Sequence, residues 1–61
     1  MDPNTNLQQQ RRLAAEILRL RDARKPDEFR ICNLADELSE LVQALDGWIS
    51  RGGFLPDAWQ Q

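Results

Sequence analysis

The side chains of this 61-residue chain that are able to do chemistry are few and unevenly placed. Glu37 and Glu40 stand three residues apart, next to Asp36. On a helix that spacing puts two carboxylates on neighbouring turns of one face, and paired oxygen ligands suit a hard cation such as Mg²⁺. Histidine is absent and Cys32 is the only cysteine. A disulfide within the chain is excluded, and one thiol with scattered carboxylates does not make a structural zinc site. With no histidine to act as its base, Cys32 reads as a small apolar side chain. Gly52-Gly53 follow a helical pattern instead of opening one, which is the wrong polarity for cradling a phosphate. Among the cations, Arg11, Arg12 and Arg19 fall on the outward side of the first helical pattern, where they would follow a phosphate backbone. Arg21 and Arg24 fall on its packing side. There they are expected to pair with acids of the second helix, or to be brought together by symmetry as a pocket for a small anionic ligand such as a nucleotide.

Charge is divided between the halves of the chain. Residues 1–25 carry six basic groups against Asp2, Glu16 and Asp22, a net +3, whereas residues 26–61 carry Arg30 and Arg51 against seven acids, a net −5. Opposite signs favour packing of one half on the other and help to fix the register of an assembly. The overall charge of −2 and the lack of a helix-turn-helix or zinc signature argue against nucleic acid as the partner. The segment Met1–Asn6 is polar, with neither a basic nor an apolar stretch of signal-peptide type. No apolar run approaches the length of a membrane span. A cytoplasmic location, no membrane contact and no cofactor are the expectations.

Two helices must carry these residues. Over positions of about 4–24, Leu7, Leu13, Ala14, Ile17, Leu18 and Leu20 recur on one broad face. The start is either Asp2 as N-cap with Pro3 following, or a Thr5–Gln8 capping box. Pro26 disfavours helical geometry in the residue before it and ends the pattern. A second helix over about 27–51 opens on Pro26-Asp27-Glu28 and carries Ile31, Leu34, Ala35, Leu38, Leu41, Val42, Leu45, Trp48 and Ile49 as a stripe, with Gly47 on its polar side. Gly52-Gly53 supply the stop. A connection of a few residues makes the helices antiparallel neighbours, so the fold class is all-α and the unit a helical hairpin.

The second stripe spans roughly 140°, wider than the narrow seam of a two-stranded coil. A single partner helix covers only part of it. The expected architecture is therefore a homo-oligomeric helical bundle, in the simplest case a dimeric four-helix bundle. Its interface would be built from Leu34, Leu38, Leu41, Val42, Leu45, Trp48 and Ile49. Phe29 and Cys32 form a pair off the stripe, placed either to pack under the end of helix one or to make a second contact between subunits. The tail, residues 52–61, is apolar at Phe54, Leu55 and Trp59, and either folds back beside Trp48 or docks on a partner.

Two stretches resemble known families. Leu34 to Leu45, with Glu37 and Glu40, resembles the first metal-binding helix of the MazG-type all-α nucleoside triphosphate pyrophosphohydrolases, which implies a Mg²⁺-dependent activity. The family's second acidic motif, E-x-x-D, has no counterpart, since Asp46 and Asp57 stand at other spacings. Leu34-Ala35-x-x-Leu38 through Ala44-Leu45-Asp46-x-Trp48 and on to Gly52-Gly53-Phe54-Leu55-Pro56-x-x-Trp59 resembles small uncharacterised helical proteins of bacteriophages and some bacteria. That likeness implies a phage-related setting without an enzymatic activity. The functional expectation is a non-enzymatic binding protein whose partners are itself and a host protein or small anionic signal, which it inhibits or sequesters. A reduced MazG-like enzyme, or nucleic-acid binding by basic helix one, are the alternatives.

Overall fold

Asp2 and Asp27 start the two helices by the same device. Each sits in extended backbone and turns its carboxylate onto the first free N–H groups: Asp2 accepts from Asn4 at 3.0 Å, and Asp27 accepts from Arg30 at 3.0 Å. The Thr5 hydroxyl also donates to Asp2, which holds that carboxyl below its usual range. The computed structural model, which describes residues 1–60, thus has α1 at Pro3–Arg21, α2 at Glu28–Ser50 and a single 3₁₀ turn at Asp57–Trp59. Of the two starts open to α1, the Asp2 cap with Pro3 as the first helical residue is the one used. Replacing Asp27 by alanine is expected to cost about 1 kcal/mol, the ordinary worth of an N-cap. Chemical denaturation measures it, and an unchanged midpoint would contradict the capping role.

α1 stops about three residues short of its expected end, whereas α2 falls within one residue of its expected bounds. α1 ends at Arg21, not near residue 24, because the last N–H groups turn inward: Asp22 donates to Leu18 O at 3.1 Å and Ala23 to Leu20 O at 3.2 Å. The tightened turn uses up the final carbonyls, and Pro26 prevents resumption before it. Residues 22–27 form the connection, and Pro26 stands outside α2. At the far end, Gly52 N–H donates to Ile49 O at 3.0 Å and Gly53 N–H to Trp48 O at 2.8 Å. With Gly52 at φ 93°, this is a Schellman stop.

The helices run antiparallel. Asn6 Nδ2 donates to Leu41 O at 3.0 Å near one end, and Arg30 meets Glu16 at 3.7 Å near the other. Asn6 is buried with both halves of its amide used, since its Oδ1 accepts from Gln10 Nε2 at 2.7 Å. The bond to a main-chain carbonyl fixes how far one helix slides along the other.

What the hairpin hides by itself is small. The buried apolar side chains are Leu7 (8 % exposed) and Leu45 (3 %), joined by Pro3 and Pro56. The tail folds back onto the open end, as one of the two sequence alternatives has it. Trp48 Nε1 donates to Phe54 O at 2.9 Å, and the two rings meet edge to face at 5.5 Å. Asp57 N–H reaches Asn4 Oδ1 at 2.6 Å. Gln61, the last residue of that expected tail, lies outside the described residues. The molecule measures 42 × 21 × 13 Å, and among the described residues no helix is long and apolar enough to cross a membrane.

Candidate functional site

A two-helix hairpin is a slab with two broad faces, and here they differ in chemistry. At about 100° per residue, one face is made by Ala14 and Leu18 from α1 with Ile31, Ala35, Val42 and Ile49 from α2. Val42 is 46 % and Leu18 48 % exposed, so each leaves much of its hydrocarbon in water. At one end, exposed Trp59 of the folded tail walls a cleft of about 190 Å³, completed by Gln10, Val42, Leu45, Asp46 and Ile49. This is the open face.

The opposite face is closed by charge. Glu16 pairs with Arg19 within α1 and with Arg30 across to α2. The Arg19 guanidinium, with Arg30 adding to it, holds the Glu16 carboxyl below its usual range. A smaller cleft of about 100 Å³ there is lined by Gln9, Arg12, Leu13, Glu37 and Leu41. Its rim carries the Arg12 guanidinium and the Glu37 carboxylate, both exposed.

The seven expected interface residues fare differently. Leu45 is already covered within one chain, and Trp48 is engaged by the tail. Leu34, Leu38, Leu41 and Ile49 are half-buried, and Val42 is exposed. Val42, Leu45 and Ile49 are the three of the set that line the larger cleft beside Trp59. Leu18 and Trp59 add to the open surface without having been expected there. The sequence marks Leu18 only as part of the α1 stripe and Trp59 only as an apolar residue of the tail.

The arginine expectation needs correction. Arg21 does not lie in the packing between helices: it is exposed and pairs with its neighbour Asp22 at 3.0 Å, which raises the guanidinium pKa further. Arg24 stands beyond the end of α1, exposed in the connection. Neither lines either cleft. The shortened helix is the cause, since the turn that would have carried Arg24 onto the packing side is not formed. Glu37 and Glu40 are both exposed, and among the described residues no group of three His, Cys, Asp or Glu side chains converges to hold a metal ion. Cys32 is exposed, and Phe29, 78 % exposed, does not pack under the end of α1.

Comparison of the chain with models of known protein families, with curated proteins and with solved structures finds no match.

Proposed function

We propose that this chain is a non-enzymatic binding protein whose working form is a homo-oligomeric helical bundle, in the simplest case a dimer of hairpins. One observation carries the reading. A compact monomer of 7.1 kDa would expose about 4,100 Å² by the scaling of surface with mass. This chain exposes 4726 Å², an excess of about 600 Å². Leu18, Val42 and Trp59 are exposed on the open face, and Met1, Phe29, Phe54 and Leu55 are exposed as well. Chains this short rarely stand on their own core, and here neither a disulfide nor a metal cluster among the described residues makes up the difference. A partner surface is the remaining source of stability. The likeness of the W-x-x-x-G-G-F-L-P tail to phage proteins supports a role in which the assembled bundle inhibits or sequesters a host factor or a small anionic signal.

Sedimentation of the purified chain at micromolar concentration tests the reading. A dimer or larger species is expected, with a melting temperature that rises with protein concentration, as it must when folding and association are linked. A folded monomer whose melting is independent of concentration refutes it.

A further inference from the structure

The cleft beside Trp59 carries a charge that its own chain leaves unanswered. Asp46 lies four residues from Val42 and three from Ile49, which puts it beside them on α2. It is exposed, and among the described residues it is the one charged side chain lining the cleft and forms no ion pair. The other polar side chain of the α-helices there is Gln10, whose Nε2 donates to the buried Asn6 Oδ1 at 2.7 Å, leaving its oxygen to accept. Hydrocarbon from Val42, Leu45 and Ile49 forms the floor. Trp59 is the wall, and the tail that carries it is pinned. Pro56 is fully buried, Trp59 N–H donates to Pro56 O at 2.9 Å, and Asp57 N–H reaches Asn4 Oδ1 at 2.6 Å.

These surfaces select among ligands. An anion meets the Asp46 carboxylate and is repelled. A purely apolar molecule covers Asp46 and strips its water without giving it a partner. A cation on a short hydrocarbon stem meets every group at once. Its stem lies on the apolar floor, its N–H groups face two acceptors, Asp46 and the Gln10 oxygen, and its charge is attracted to the aromatic wall. We propose that this cleft is a binding site for a small organic cation, a guanidinium or primary ammonium on a short hydrocarbon stem. The volume of about 190 Å³ is space for a molecule of that kind and not for a folded segment. Because one hairpin supplies every lining residue, the site goes beyond the self-association proposed above and does not depend on it.

Titration of the full chain with n-butylguanidinium, followed by the indole N–H resonances of its two tryptophans, supplies the test. A ligand of this size is expected to bind in the millimolar range. The Trp59 resonance should move saturably, and more than that of Trp48, which the tail already engages. Butyrate and n-butanol, with the opposite charge or none on the same stem, should leave it in place. Asp46→Asn, at an exposed position, is expected to keep the helical signal and to weaken binding several-fold, with Asp46→Glu retaining more of it. Added salt should weaken binding to the unaltered chain, a readout that needs no variant. A Trp59 resonance that stays still, equal movement with n-butanol, indifference to salt, or a folded Asp46→Asn chain that binds as well as the original each overturn the assignment. Sedimentation keeps the two readings apart. A folded monomer that binds the cation refutes the bundle and leaves the cleft standing, and a dimer that does not bind it refutes the cleft alone.

Discussion

Val42→Glu is expected to abolish self-association while leaving the hairpin able to form. In one chain Val42 is 46 % exposed, so a carboxylate at that position stays in water and the local cost is small. In the paired form the same carboxylate would be enclosed between apolar side chains. Enclosing an unpaired charge costs several kcal/mol even after relaxation. At about 1.4 kcal/mol per tenfold, the dissociation constant should rise by a factor on the order of 100 or more. Sedimentation at a series of concentrations reads this directly, and the concentration dependence of melting should vanish with it. Leu45→Ala is the contrasting case. Leu45 is 3 % exposed inside a single hairpin, and truncating a buried leucine costs about 2–5 kcal/mol. That loss falls on folding at every concentration, so the helical signal itself should disappear. Were Val42→Glu to sediment as the unaltered chain does, the open face would not be the contact surface.

The two outcomes separate because the sequence stripe conflated two jobs. Periodicity marks every apolar side chain on one side of α2, but it does not tell those facing α1 from those left over. Leu45 and Val42 are three residues apart on the same stripe, yet one is covered by its own chain and the other is not. The asymmetry is decided by where α1 lies, and that depends on the Asn6 amide reaching the Leu41 carbonyl. A buried asparagine is visible in a sequence only as one more polar residue. The double-glycine stop was legible, the Asp2 cap was one of two starts open to α1, and the α2 start was placed to within a residue although Asp27 caps it and Pro26 stands outside its first turn. Less legible was the end of α1. Its apolar stripe closes at Leu20, inside the helix, and only Pro26 marks a stop in the sequence, so spacing places Arg24 on a packing face that the helix never reaches. Phe29 shows the same limit from the other side. An aromatic at the edge of a helix has no assignable partner until the neighbouring surface is known, and in one hairpin that surface does not exist.

The tail makes a second strong prediction, resting on Gly53. Gly53 N–H donates to Trp48 O, which brings the backbone of residue 53 against the face of the Trp48 indole. A Cβ built there would fall inside the van der Waals envelope of the ring. Gly53→Ala must therefore push the indole off Phe54 or lift the tail from the helix, breaking the Trp48 Nε1 bond to Phe54 O in either case. Forcing an extra methyl into such a contact costs about 1–3 kcal/mol. For a domain of this size each kcal/mol lowers the melting temperature by roughly 4–8 °C, compared at one protein concentration. Gly52→Ala is the control, since it meets nothing in space but must adopt φ 93°. Its cost of about 1 kcal/mol is backbone strain and does not depend on Trp48. Shrinking Trp48 to leucine should then relieve part of the Gly53→Ala penalty and none of the Gly52→Ala penalty, a coupling that a double-mutant cycle isolates. The consequence reaches the open face, because the tail carries Trp59 to the cleft beside Val42 and Ile49. A lifted tail removes one wall of that cleft, so Gly53→Ala should also weaken self-association, whereas Gly52→Ala, which keeps the ring in place, should not. Gly53→Ala melting and sedimenting with the unaltered chain would mean that the tail is not held by the Trp48 contact.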